Sequence, residues 1–296
     1  MSTNEYLQKV LKSQKLEDDE LKVLDKNRGE VEKVLRDKFG SGPTIRYGGS
    51  KAKGTMIRDS YDLDIICYFE SDDTSAGETL KDIYESVKKC LESKYYVEPK
   101  KSALRIESKE EKVYFHIDVV PGRYTDEKKE DVFLYQSNGD KDRLQTNLQK
   151  HIDYVKDSGL TDIIKLIKYW KIRNGLQIKT FILELLVIEI LKDTEESEGL
   201  DVCLKKFWEQ LKDKVDEIKI EDPANPTGND LSELFDDSIK DSLSSMAKRT
   251  LETIEQQGWE GVYGEMKSME DEEKIKSINV IKENNPSSTK PWCNIV

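Results

Sequence analysis

At 296 residues the chain is longer than one hydrophobic core usually fills, so a compact body of two lobes is expected. Acidic residues outnumber basic ones 60 to 48, a net charge of −12, which argues against a broad footprint for long DNA or RNA and favours a small substrate. No apolar run approaches the roughly 20 residues of a membrane helix, and the opening MSTNEYLQKV lacks the apolar stretch of a secretory leader, so a cytosolic chain without a membrane partner is expected.

From Glu5 to Phe39 apolar positions recur at helical spacing (Leu21, Leu24, Val31, Val34, Leu35), and Gly40 with Pro43 supplies a stop. This predicts an N-terminal helical arm over residues 1–40, packing on the body. Thr44 to Tyr47 is a short strand signal running into Gly48-Gly49-Ser50, and Leu63 to Phe69 (LDIICYF) is a β-branched and aromatic run, a second strand. DDTSAGE is a loop, Glu78 to Ser93 returns to helical spacing, and Ala103–Glu107 and Val113–Val120 predict strands, the last ended by Pro121 and Gly122.

Beyond about residue 140 strand signals vanish and helices are predicted over Thr161–Arg173, Lys179–Lys192, Cys203–Val215 and Ser232–Gln257. EDPANPTGND, with two prolines and a glycine, is a loop, and NNPSSTKPWCNIV reads as a flexible polar tail. The expected division is therefore the arm at 1–40, a mixed α/β core at 41–150 and a helical lobe at 151–296. Cys67, Cys90, Cys203 and Cys293 lie far apart, with neither His116 nor His151 beside them, so neither structural zinc nor disulfides are expected.

Asp62 and Asp64 are two residues apart at a strand, so their side chains leave one face while Leu63 and Ile65 turn to the other. In VYFHIDVVP the apolar residues Val113, Phe115, Ile117 and Val119 alternate with His116 and Asp118, an acid in an otherwise apolar strand. Three such carboxylates suit a hard divalent ion that takes oxygen ligands. Alone, a D-x-D is as readily a pair of strand-end carboxylates capping turns. The preceding Gly48-Gly49-Ser50 adds glycines that let backbone approach a triphosphate and a hydroxyl to meet its oxygens.

GGS at 48–50, D-L-D at 62–64 and a lone Asp118 in a later strand together resemble the polymerase-β-like nucleotidyltransferase superfamily. That resemblance implies an α+β fold, a nucleotidyltransferase core with a mixed sheet plus a C-terminal helical lobe. It also implies two Mg2+ (or Mn2+) ions, with Asp62 and Asp64 holding both and Asp118 completing the one that activates the nucleophile, while Gly49 and Ser50 meet the phosphates.

The second half carries its own signals. In IIKLIKYWKIRNG, Lys165 and Lys168 stand one turn apart opposite Ile163, Ile167 and Trp170, so both ammonium groups could aim at one anion; a solvated charged face is the alternative. KTFILELLVIEIL opens a helix apolar almost all round, with Thr180 where the helix dipole favours phosphate. These segments resemble oligoadenylate synthetases and the bacterial cGAS/DncV-like nucleotidyltransferases. The resemblance implies that Lys168 grips the donor triphosphate, Thr180 contacts phosphate or acceptor, and Phe181 stacks on a base, a core role for Phe181 being an equal alternative. DPANPTGN at 222–229 resembles a DPxDPxxN segment of these families, with Asn225 in place of the second acid.

The implied function is a bacterial second-messenger synthase, joining nucleoside triphosphates, ATP among them, into a cyclic dinucleotide for anti-phage defence. It is expected to be a monomer, with regulatory proteins of a defence operon as partners and no long nucleic acid. Left open are a tRNA-end or polynucleotide adenylyltransferase, a small-molecule or protein nucleotidylating enzyme, and a degenerate module that binds nucleotide without turnover.

Overall fold

The computed structural model describes residues 2–266 except 110–114, 138–141, 195–197, 226–228, 230 and 232–233. The predicted polar tail, Cys293, and parts of the predicted 113–120 strand, the DPANPTGN loop and the 232–257 helix lie outside the described residues.

The N-terminal arm is two helices. α1 (Thr3–Ser13) begins at a capping box between Ser2 and Glu5, and α2 (Asp18–Phe39) at one between Glu17 and Glu20. Their apolar faces go to different places. Tyr6, Leu7 and Val10 of α1 join the core of the helical lobe, whereas Leu24, Val31, Val34 and Leu35 of α2 pack under the sheet. The turn between them, at Gln14–Glu17, contains no glycine or proline, so the helical pattern runs across it unbroken.

Next come β1 (Thr44–Tyr47), the short helix α3 (Gly49–Lys53), β2 (Leu63–Phe69) and α4 (Leu80–Leu91). Four strands follow directly, β3 (Tyr95–Pro99), β4 (Leu104–Ser108), β5 (Ile117–Tyr124) and β6 (Val132–Tyr135), and β7 (Arg143–Thr146) completes the set. The sheet order is β1-β2-β5-β4-β3, with β6 on β5 and β7 on β6. β2 and β5 are parallel and the other pairs antiparallel, giving a mixed sheet. One face of it buries Leu63, Ile65, Cys67, Leu104, Ile117 and Val119 against α2 and α4.

β5 runs through Pro121 and Gly122 where the sequence predicts its end. β4 leaves at Val119 and β6 arrives at Arg123, so Pro121 falls in a gap of that ladder, where its missing N–H costs nothing. Gly122 lets β6 approach, since a Cβ there would come within 2.6 Å of Val132 and 2.8 Å of Leu134. β6 and β7, four residues each, carry too little alternation to be read as strands.

The helical lobe holds α5 (Leu148–Asp157), α6 (Thr161–Arg173), α7 (Thr180–Leu191), α8 (Leu200–Lys214), α9 (Asp237–Gln257) and α10 (Trp259–Tyr263). α7 is buried almost all round because its residues, Ile182, Leu183, Leu185, Leu186, Val187, Ile188 and Leu191, are apolar on every side. Trp170, Phe207 and Trp208 fill the centre of this lobe. Among the described residues no helix is long and apolar enough to cross a membrane.

Candidate active site

The parallel pairing of β2 with β5 sets Asp64 directly opposite Asp118, and Asp62 stands just ahead of β2 on the same side. One carboxylate oxygen from each of the three lies within 4.8 Å of the others. Burial, reinforced by Asp118, raises the Asp62 carboxyl above its ordinary value, and burial with Asp62 and Asp118 pushes Asp64 up to about 7. Two acids that resist ionising, with a third beside them, form a donor set a hard divalent cation would relieve. The residues present therefore fit a metal centre.

Arg105 on β4 is the counter-ion already in place. Its Nε donates to Asp118 Oδ1 at 2.9 Å and its NH2 to Asp118 Oδ2 at 2.8 Å, a bidentate fork made possible by the Arg105–Asp118 register.

The glycine turn abuts this centre. Gly48 N–H donates to Asp64 O at 2.9 Å, and Gly49, at φ +50°, begins α3. A Cβ at Gly49 would overlap the Asp64 carboxylate, so glycine is required by space as well as by φ. A cavity of about 210 Å³ opens here between sheet and helical lobe. Gly49, Ser50, Asp62, Asp64, Lys168, Thr180 and Phe181, all singled out from the sequence, line it.

Lys165 is absent from this lining. It pairs with Asp162 one turn back at 3.0 Å and is partly exposed, so the expected Lys165–Lys168 pair does not converge on one anion. The lysine one turn after Lys168, Lys171, lines the cavity instead and donates to Thr180 Oγ1 at 3.3 Å. Lys168 itself is 5% exposed. Its Nζ donates to Thr55 O at 2.8 Å and lies 3.8 Å from Glu184. Burial lowers its pKa, opposed by Glu184.

Lys53 and Glu184 are cavity residues the sequence reading passed over. Glu184 Oε2 accepts from Lys53 at 2.7 Å and Oε1 from Thr55 Oγ1 at 2.7 Å. Burial would raise the Glu184 carboxyl, but Lys53 and Lys168 hold it below its usual range. An acid inside the most apolar helix of the chain was the available signal. Phe181 packs against the lobe core and also lines the cavity, with Lys53 Nζ 5.4 Å from its ring centroid.

Residues 1–158 match the family model described as the Second Messenger Oligonucleotide or Dinucleotide Synthetase domain. The chain belongs to this synthetase family. A cyclic AMP-AMP-AMP synthase of Escherichia coli (strain MS 115-1) is 22% identical over 236 residues, 67% of this chain and 72% of that protein. Two solved structures share the fold. The CdnC:HORMA-deltaN complex of E. coli MS115-1 matches at TM-score 0.65 and 17% identity, over 87% of this chain and 95% of that one. The Bradyrhizobium diazoefficiens CD-NTase CdnG in complex with GTP matches at TM-score 0.68 and 12% identity, over 87% and 94%. This synthetase is thus an α+β nucleotidyltransferase, a second-messenger oligonucleotide or dinucleotide synthetase.

In the synthetase the described residues of the DPANPTGN segment, 222–225 and 229, are joined to one another. Asp222, 4% exposed, accepts from Ala224 N at 2.8 Å and from Asn229 Nδ2 at 2.6 Å, and Asn225 Nδ2 donates to Asn229 Oδ1 at 3.3 Å. Asn229 also donates to Gln145 O on β7 at 3.1 Å, tying the loop to the sheet. His116 is exposed, and the free thiols Cys67, Cys90 and Cys203 stand apart from the acids.

Proposed function

We propose that the cavity binds the triphosphate of a donor nucleotide and that the enzyme joins ATP to a second nucleoside triphosphate, closing a cyclic dinucleotide that signals in anti-phage defence from the cytosol. The observation that carries this reading is a cluster of three carboxylates, two of which, Asp62 and Asp64, line one cavity together with a glycine turn and a buried lysine. In this reading residues 41–150 are the catalytic core, residues 151–296 the lobe that completes the nucleotide site, and residues 1–40 an arm serving both.

Asp62 and Asp64 would hold two divalent ions, Mg2+ or Mn2+, with Asp118 completing the shell nearer the nucleophile. Bound there, such ions acidify the attacking ribose hydroxyl and neutralise charge on the departing pyrophosphate. The chain's own contribution is binding and orientation. Gly49 and Ser50 offer an amide and a hydroxyl to phosphate oxygens, Lys168 and Lys171 supply positive charge from the opposite wall, and Thr180 adds a hydroxyl at the first turn of α7. Phe181 gives an aromatic face for a base. Lys165 has no part in the site.

A cyclic trinucleotide is the second reading, favoured by the printed product of the 22% identical E. coli synthase. The HORMA-deltaN chain seen with CdnC supports a regulatory protein of that kind as partner to a monomeric catalytic chain. Incubation of the pure protein with labelled ATP, GTP, CTP and UTP plus Mg2+ or Mn2+, then phosphatase and chromatography, tests the proposal. A phosphatase-resistant cyclic species made without template is the expected result. Long phosphatase-sensitive chains, or strict dependence on added tRNA, overturn it.

A further inference from the structure

Among the described residues of the DPANPTGN segment none lines the nucleotide cavity, yet Asp222 is only one side chain away from it. Asp222 Oδ1 lies 3.3 Å from His151 Nε2, and the His151 ring meets the Phe181 ring edge to face, centroids 5.1 Å apart at 82°. We propose that His151 is a positioning residue for the nucleotide base, passing the placement of Asp222, itself held by Asn229, to the ring of Phe181. The proposal rests on the reading of Phe181 as a base-stacking side chain.

Each link is held on more than one side. Asn147, 2% exposed, caps α5 by accepting from Lys150 N at 3.0 Å and donates to Asp131 Oδ1 at 2.9 Å, which fixes the first turn that carries His151. Thr146 Oγ1 sits 3.3 Å from the same Nε2 that faces Asp222. The His151 side chain is 11% exposed and that of Asp222 6%, and burial lowers the His151 pKa, so a neutral ring stands against the carboxylate. The ring is held at Nε2 by the Thr146 hydroxyl and the Asp222 carboxylate together. Its plane is thereby set, and a set plane presents a fixed edge to Phe181. On the cavity side Phe181 meets Lys53. Its ring is therefore clamped between a loop-anchored imidazole and a lysine that is itself paired with Glu184.

A double-mutant cycle on nucleotide use separates this role from a merely structural one. His151→Ala, Phe181→Ala and the double variant are compared for kcat, for KM toward nucleoside triphosphate, for the affinity of a non-hydrolysable ATP analogue by calorimetry, and for melting temperature. His151→Ala is expected to raise KM and weaken the analogue about fivefold, with kcat changing less than about twofold. In the Phe181→Ala background it is expected to add nothing to either, while its melting shift persists. His151→Gln keeps a donor toward Asp222 but no ring edge, and is expected to behave like His151→Ala. Equal fold-changes of His151→Ala in both backgrounds overturn the proposal while leaving Phe181 as a base contact. A Phe181→Ala variant with unchanged KM and analogue affinity overturns the base-stacking reading and this inference with it.

Discussion

Glu184 of α7 accepts a hydrogen bond from Lys53 of α3 at 2.7 Å, across the boundary between the helical lobe and the sheet. The same carboxylate takes the Thr55 hydroxyl at 2.7 Å and stands 3.8 Å from Lys168, so one acid serves two ammonium groups in a place nearly free of water. Breaking a buried pair leaves an uncompensated charge, which costs more than the pair contributes. Glu184→Ala is expected to destabilise the fold by about 3–5 kcal/mol. Lys53→Met with Glu184→Leu, which removes both charges, is expected to recover much of that loss. Urea unfolding of the three variants measures it, and a double variant no more stable than Glu184→Ala refutes the argument.

Asp62→Asn with Asp64→Asn is expected to abolish pyrophosphate release while the metal-free protein melts no lower than the parent. Both carboxyls are held above their ordinary pKa by burial and by neighbouring acids, so their ionised forms strain the folded state. Pyrophosphate release and melting temperature are read on one preparation. Activity above a few per cent, or a clear fall in melting temperature, contradicts this.

The pH dependence has a definite sign. A group whose folded pKa is raised contributes stability that is present below its unfolded pKa and lost as pH rises through the folded one. For Asp64 that window runs from its ordinary value of 3.8 to about 7. Protons and divalent ions compete for the same oxygens, so the rise in melting temperature produced by Mn2+ should be larger at pH 8 than at pH 5.5. Melting curves with and without Mn2+ across this range check it, and an ion effect independent of pH would remove Asp64 from the ligand set.

Arg105→Met takes away the bidentate counter-ion of Asp118. The metal-free variant is expected to melt lower than the parent, and the stabilisation by Mg2+ or Mn2+ to grow, because the ion then meets three carboxylates with less positive charge nearby. Melting temperatures with and without ion decide it. A variant whose ion-induced shift is unchanged or smaller shows that the guanidinium does not compete with the cation.

Lys168→Ala and Lys165→Ala make a matched pair from one helix. Lys168 lines the cavity and Lys165 pairs with Asp162 outside it, so the first is expected to raise donor KM about tenfold or more and the second to leave KM within about twofold. Steady-state kinetics on both compare the two faces directly, and equal effects would contradict the assignment.

Much of this site was legible because its chemistry is local in sequence. The two-residue spacing of Asp62 and Asp64, and the alternation that leaves Asp118 off the apolar face, follow from strand geometry alone. Arg105, Lys53 and Glu184 were not legible in that way. Arg105 reaches Asp118 through the register of β4 on β5, and Lys53 reaches Glu184 across 131 positions of sequence, relations that no local period encodes. Lys165 misled because a face drawn from a helical wheel does not say where a side chain finds its partner; Asp162, one turn back, was nearer than any anion. Likewise the helical arm was legible but not its division, because nothing between Gln14 and Glu17 breaks the pattern, and only packing sends α1 and α2 to separate cores.

That separation has a mechanical consequence. α1 is bedded in the helical lobe, where Tyr6 OH donates to Gly264 O at 2.6 Å, and α2 is bedded under the sheet. The turn joining them is also pinned to the segment leading into β2, since Arg58 N–H donates to Gln14 O at 2.9 Å and Asp59 N–H to Gln14 Oε1 at 3.2 Å. The chain therefore carries its own tether across the mouth between its halves. Fully drawn out, the stretch from Ser13 to Asp18 spans no more than about 18 Å. With both helices seated, the facing ends of α1 and α2 can stand no farther apart than that, which limits how far the sheet and the helical lobe can separate at this edge.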